Sequence, residues 1–414
     1  MPIKKYIRFC TLFAAAACIH LVVQSQPVIT NTKNAVADTV RTDAFLENLL
    51  KQYPRYFDSI LAKRNNYNVQ VIYTRIDRGA NGIAALKQFY FNVNPKKYFY
   101  PASAVKLPLA MLTLQKLGEL KQNGIDKNTT MLTEKAYSEQ TAVYNDPTTP
   151  DGKPTIAQYL KKMLLVNDKD ACNRLYEFLG QQYINEQLRQ RNYTNVQVTE
   201  RLNTDLNEDE NRHTNPVKFL APGNKVLYQQ PMQYSNISFA GSNDSLAKED
   251  FSKKNKMSLE DLHAMLISLV FPNKVTSSQR FTISDDDRKF ILKYMSQLPT
   301  ESSNPPYKDD TATYNPAFSK YLLYGSGRDS LSNSVRIFNA AGEGNGQVID
   351  VAYIVDFDKK IEFFLSAVIY CNDDDSIGFS FMKLLGRIIY EYETKREKKI
   401  LPDLGEVKFE YDGR

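Results

Sequence analysis

The chain has 414 residues, with 53 Lys+Arg, 47 Asp+Glu and three His. Its first 25 residues contain Lys4, Lys5 and Arg8 and no acid, so the remaining 389 carry 50 basic side chains against 47 acidic ones, a charge of +3. That near-balance argues against a nucleic-acid partner, which asks for a clustered basic excess, and 42% hydrophobic with 24% charged residues argues against disorder.

Lys4, Lys5 and Arg8, followed by the apolar run 9–23, have the plan of a signal peptide, with Val23-Gln24-Ser25 as its cleavage site. A rival reading makes Cys18, behind Ala15-Ala16-Ala17, the acylated residue of a lipoprotein. Residues 19–23 stay apolar where a lipoprotein turns polar, so cleavage near Ser25 and a periplasmic or secreted protein are the expectation. No later segment has ~18 consecutive apolar residues, so no transmembrane span is expected in the mature chain.

Phe45, Leu46, Leu49 and Leu50 repeat at helical spacing and predict a helix running to about Leu61. Residues 69–76 (VQVIYTRI) read as a strand and 88–93 (QFYFNV) as its hairpin partner. From Ser103 to about Leu298 the pattern is mostly helical. Residues 335–338, 350–357 and 361–370 are β-rich, and Asp358-Lys359-Lys360 divides the last two as a hairpin turn would. A closing helix over 379–392 carries Phe381, Leu384, Leu385, Ile388 and Ile389 on one side. Strands at both ends of a helical middle predict an α+β fold: an antiparallel sheet built from the two termini, flanked by helices, with a helical subdomain beside it.

His20 lies in the leader, leaving His213 and His263. Neither a Ser-His-Asp triad nor a His-rich zinc site is expected from those two. Cys172 and Cys371 read as two separate buried thiols, a disulfide between them being the alternative. The acidic run 372–375 lacks the spacing of a calcium loop, and no metal or cofactor is expected. The charge runs 285–288 and 395–399 read as solvated faces or tails.

The sharpest local feature is Tyr100-Pro101-Ala102-Ser103-Ala104-Val105-Lys106-Leu107-Pro108-Leu109-Ala110-Met111. Ser103 stands at the start of a predicted helix and Lys106, three residues on, shares its face. A lysine among apolar neighbours can lose enough basicity to take a serine proton, and a helix start offers unpaired N–H groups to an oxyanion. Pro108 removes one hydrogen bond near that start. Ser-x-x-Lys alone is weak, since Ser245/Lys248 and Ser380/Lys383 repeat it, and an N-cap serine is the plain alternative.

The surroundings of Ser103 resemble the class A β-lactamase and penicillin-binding serine hydrolase family, whose motifs include S-x-x-K, S-D-N and K-T-G. Residues 154–175, through Val166-Asn167-Asp168-Lys169-Asp170-Ala171-Cys172-Asn173, are similar to the helix leading into the second motif. Asn203-Thr204-Asp205-Leu206-Asn207-Glu208 is similar to the loop with the deacylating glutamate, and Ala340-Ala341-Gly342-Glu343-Gly344 to the third motif. The resemblance covers about residues 45 to 395 in order, with an insertion over 217–257. It implies one domain over about 40–400, with strands near 69–93 and 335–370, a helical part about 103–298, and a tail over 401–414.

The departures are as informative. Where S-D-N is expected stand Asn167, Asp168 and Lys169; where the deacylating glutamate is expected stands Asn203, an amide that cannot act as a base; K-T-G has become Ala340-Ala341-Gly342. Glu343 takes the position whose N–H completes the oxyanion hole. The resemblance therefore implies Ser103 and Lys106 as catalytic pair, with Asn167, Lys169, Asn203, Gly342 and Glu343 lining the substrate site and Asp168, Asp205 and Asn207 structural beside it. Asp168 is expected to tie a loop and Gly342 to allow close backbone approach. Lys169 has two readings, a surface lysine or a second ammonium turned toward Lys106. The implied function is acyl transfer on a β-lactam, peptide or ester carbonyl with impaired deacylation, by a monomer acting on a β-lactam or peptidoglycan-like substrate. The alternative is a catalytically silent member that binds a peptidoglycan fragment or a protein partner.

Overall fold

The computed structural model describes residues 40–239, 253–329, 332–372 and 374–411; the predicted leader and part of the 217–257 insertion lie outside the described residues. Five antiparallel strands form the main sheet: β1 (Gln70–Arg78), β2 (Ala84–Phe91), β3 (Val335–Gly344), β4 (Gln347–Asp356) and β5 (Ile361–Tyr370), in the order β2-β1-β5-β4-β3. The fold is α+β. N-terminal β1 pairs with C-terminal β5, Tyr73 opposite Leu365 and Thr74 opposite Phe364. The two ends of the chain are thereby joined in the middle of the sheet, and β3, carrying Ala340 to Glu343, is left at an edge.

Alternation along the strands sends neighbouring side chains to opposite faces. One face takes Tyr73, Ile354, Phe363 and Leu365 against Leu46, Leu50 and Phe57 of the first helices and Phe381, Leu385 and Ile389 of the closing helix, Asp375–Lys395. The other takes Ile72, Tyr353, Val355 and Phe364 against helices Lys106–Glu119, Leu259–Val270 and Asp285–Ser296. His263 is buried in this second layer, its ring nitrogens on Thr74 Oγ1 at 2.8 Å and Ser366 Oγ at 2.7 Å, and burial pulls its pKa down to about 3.

The helix expected to continue to Leu61 is two, Ala44–Lys51 and Pro54–Ala62, because Pro54 lacks an N–H and starts the second at its first position. The middle is less helical than its pattern suggested. Thr130–Thr133, Val217–Leu220 and Val226–Gln230 form a three-stranded sheet, whose last two strands turn through Gly223 and Asn224, both left-handed. These strands have four or five residues each, too short to show a period. Lys116, buried at the far end of helix Lys106–Glu119, donates to Phe178 O at 2.6 Å, Leu179 O at 3.0 Å and Gln230 Oε1 at 2.8 Å. It joins that helix to the last carbonyls of helix Lys169–Leu179 and to the small sheet. Cys172 and Cys371 are buried free thiols. Among the described residues no helix is long and apolar enough to cross a membrane.

Candidate functional site

Ser103 sits in the 3-10 turn Ala102–Val105, and the α-helix begins at Lys106, so Pro108 falls in its first turn, where no N–H has an i−4 partner. Ala102, just before the serine, has φ +45°. That left-handed conformation costs a non-glycine residue roughly 1 kcal/mol or more, and such strain concentrates at functional turns. The turn is held by the edge strand: a Cβ at Gly342 would lie 2.5 Å from Pro101 O and 2.9 Å from both Ser103 N and Ala104 N. Only glycine lets β3 approach this closely. In the β3–β4 hairpin Gly344 pairs with Gln347 across Asn345-Gly346, so Glu343 is at a non-hydrogen-bonded position whose N–H faces the open edge.

Lys106 is 2% exposed. Burial lowers its ammonium to about 8, with the Asp350 carboxylate and Cys172 opposing. Among the described residues its hydrogen-bond partner is Asn167 Oδ1, at a long 3.4 Å, and no hydrogen bond joins it to Ser103. Asn167 closes helix Ile156–Val166 in the left-handed conformation that asparagine tolerates, and Asp168 caps the next helix by accepting from Ala171 N at 2.9 Å. This corner points the Asn167 amide at Lys106.

Lys169 is exposed, and the second ammonium near Lys106 is Lys320. Lys320 Nζ is buried and donates to Met295 O at 2.6 Å, Ile337 O at 2.9 Å and Asn339 Oδ1 at 2.7 Å, closing the free edge of β3. Asn339 donates in turn to Asp350 Oδ1 at 2.8 Å, and Leu322 N donates to Asp350 Oδ2 at 2.9 Å. Burial pushes both charges of this group toward neutrality, Lys320 downward and Asp350 upward. The sequence reading missed all three. The one signal was a lone lysine beside the apolar residues Tyr321, Leu322 and Leu323.

Ser103, Asn167, Lys169 and Glu343 line one cleft of about 470 Å³, with Phe318, Tyr321 and Phe379. Asn203 and Asp205 line a second pocket of about 440 Å³, which meets the first at Lys169. Its loop is gripped at Leu202, whose N–H donates to Asn173 Oδ1 at 2.7 Å and whose carbonyl accepts from Asn173 Nδ2 at 3.0 Å. The carboxylate buried there, Glu177, is committed to Arg174 at 2.9 Å and Arg201 at 3.0 Å. Asn203 is exposed at φ +53°, and Asp205 is exposed as well. Asn207 lines neither pocket: it caps helix Glu208–Arg212 in a reciprocal pair with Glu210. Among the described residues no group of three or more His, Cys, Asp or Glu could hold a metal ion.

The chain is similar to solved structures of TLA-1 extended-spectrum β-lactamase (14% identity over 84% of this chain and 99% of that one, TM-score 0.48). It is similar to a β-lactamase from Sphaerobacter thermophilus (13%, 86% and 98%, 0.47) and to a PBP-A variant captured as an acyl-enzyme with penicillin G (14%, 85% and 98%, 0.47). No curated protein matches it. The family model of the β-lactamase enzyme family matches residues 54–392. A strained serine turn against the edge of a terminus-to-terminus sheet thus lies in a chain that belongs to the β-lactamase enzyme family, serine hydrolases of the β-lactamase and penicillin-binding type.

Proposed function

We propose that this protein is an exported, monomeric serine hydrolase acting by acyl transfer on a β-lactam, peptide or ester carbonyl, with its domain over about 40–400 and its leader removed near Ser25. Ser103 Oγ attacks the carbonyl carbon, Lys106 takes the proton, and the N–H groups of Ser103 and Glu343 hold the oxyanion. The observation that carries this reading is Lys106: a buried ammonium, lowered to about 8 and left with one long hydrogen bond, three residues from a serine that opens on a cleft. Roughly a tenth of such a group is free base at pH 7, enough for a general base.

Hydrolysis of the acyl-enzyme needs a second base. Asn203 is an amide, Asp205 lines the other pocket, and Glu177 is held by two guanidinium groups. These placements support a slow second step, so a β-lactam or peptidoglycan-like donor would leave the enzyme acylated. A silent binding protein is the second reading, favoured by the absence of a Ser103–Lys106 hydrogen bond among the described residues.

Incubation with a fluorescent penicillin or a fluorophosphonate, followed by intact mass spectrometry of wild type and Ser103→Ala, separates the two. A mass shift that persists after excess reagent is removed, and that is lost in Ser103→Ala, is the expected result. Labelling of neither protein selects the binding reading. Sustained nitrocefin turnover that disappears in Ser103→Ala would refute the impaired second step.

A further inference from the structure

Two charged side chains line the Ser103 cleft, and they stand on different elements. Lys169 opens its helix on the wall shared with the second pocket. Glu343, near the end of β3, is exposed and accepts from Tyr321 Oη at 3.3 Å. Tyr321 meets Phe379 edge to face at 4.9 Å between ring centroids, and both line the cleft with Phe318, among small and polar residues. At Ala340, the position of the cation in the K-T-G motif, this chain has a buried methyl group. The Lys320 ammonium is taken up by three acceptors and does not line the cleft. Farther along this wall Lys383 and Arg387 share Asp329, at 3.0 and 3.1 Å.

A carboxylate in such a cleft attracts an ammonium group through its charge, aromatic side chains nearby favour the same cation, and the carboxylate repels a second one. We propose that this cleft selects acyl donors whose leaving group carries a cationic amine and discriminates against leaving groups that carry a carboxylate. The proposal rests on the acyl-transfer reading. Ser103 Oγ bonds to the carbonyl carbon, the bond from that carbon to the leaving oxygen or nitrogen breaks, and the serine proton passes by way of Lys106 to the departing atom. The ammonium of the departing alcohol or amine is held between Glu343 and the Tyr321–Phe379 pair, while Lys169 meets the acyl portion where it approaches the second pocket.

The test uses the full protein and three esters of one scaffold: phenyl acetate, 3-(trimethylammonio)phenyl acetate and 3-carboxyphenyl acetate. The second-order rate of Ser103 acetylation is followed by intact mass and divided by each ester's rate of hydroxide hydrolysis. Wild type should favour the cationic ester over the anionic one by about tenfold at low ionic strength, less as salt is added. Glu343→Gln should bring the ratio near one, and Glu343→Lys should invert it. Because each ratio is taken within one variant, a general loss of rate cancels. A wild-type ratio near one, or a ratio that both substitutions leave alone, overturns the proposal while phenyl acetate still acetylates Ser103. If none of the esters acetylates Ser103, acyl transfer itself fails and the selectivity fails with it.

Discussion

The two ends of helix Lys106–Glu119 each bury a lysine, and the two are treated in opposite ways. Lys116 meets three acceptors between 2.6 and 3.0 Å, two of them the last carbonyls of a neighbouring helix, so its charge is matched by partial charges aimed at it. Lys106 meets one acceptor at 3.4 Å. Burial lowers the pKa of both, yet only Lys106 stands beside a serine and is left under-bonded. A buried ammonium with its hydrogen bonds filled joins elements together; one with them unfilled is available for proton transfer.

The largest expected effect separates the two ends directly. Lys106→Met should slow Ser103 acylation by about 10²–10⁴-fold. Its stability should hold or rise, because a buried ammonium whose one hydrogen bond is a long 3.4 Å recovers little of what its desolvation costs. Lys116→Met should do the reverse, costing about 1–3 kcal/mol in urea unfolding by leaving buried acceptors without a donor, with acylation near the wild-type rate. If Lys116→Met lost acylation and kept its stability, the contrast would collapse.

Gly342→Ala sharpens the same contrast at the backbone. A Cβ placed 2.5 Å from Pro101 O must push β3 off the serine turn. The expected cost is about 1–3 kcal/mol in thermal or urea unfolding, together with slower labelling, since the oxyanion donors move apart. Native labelling in a folded Gly342→Ala protein would show that the strand does not position the serine.

The smallest effect is on pH dependence. If neutral Lys106 is the base, the labelling rate should rise with pH through about 8 and level off above it. The Asp350 carboxylate raises the Lys106 pKa, so Asp350→Asn should move that midpoint downward. A midpoint that moves upward, or a rate flat between pH 6 and 9, would remove Lys106 from the role.

Much of this molecule is written in short-range patterns. The β-rich runs at residues 350–357 and 361–370 and the turn between them follow from local alternation and turn residues, and they appear as β4, β5 and their hairpin. Asp168 caps a helix because its side chain reaches an N–H three residues on. Ser103 and Lys106 share a face because they are one turn apart, a relation their spacing alone carries. The small sheet was not legible, since its strands are too short to carry a period and Thr130–Thr133 pairs with Val217–Leu220 far along the chain.

Charge in the candidate site depends on partners no local pattern names. Lys320, Asn339 and Asp350 lie apart in sequence; the β3–β4 register sets Asn339 beside Asp350, and Lys320 reaches them across the strand edge, donating to Asn339 Oδ1 and to Ile337 O. The exposure of Lys169, the two-guanidinium grip on Glu177, and the Tyr321–Phe379 pair beside Glu343 likewise arise from packing between distant elements. The sequence by itself determined where most helices and the strands β1, β4 and β5 form, because those depend on neighbours within a turn or two. Tertiary structure alone decided which lysine is under-bonded and which carboxylate faces the cleft, because desolvation and hydrogen bonding depend on what is brought alongside.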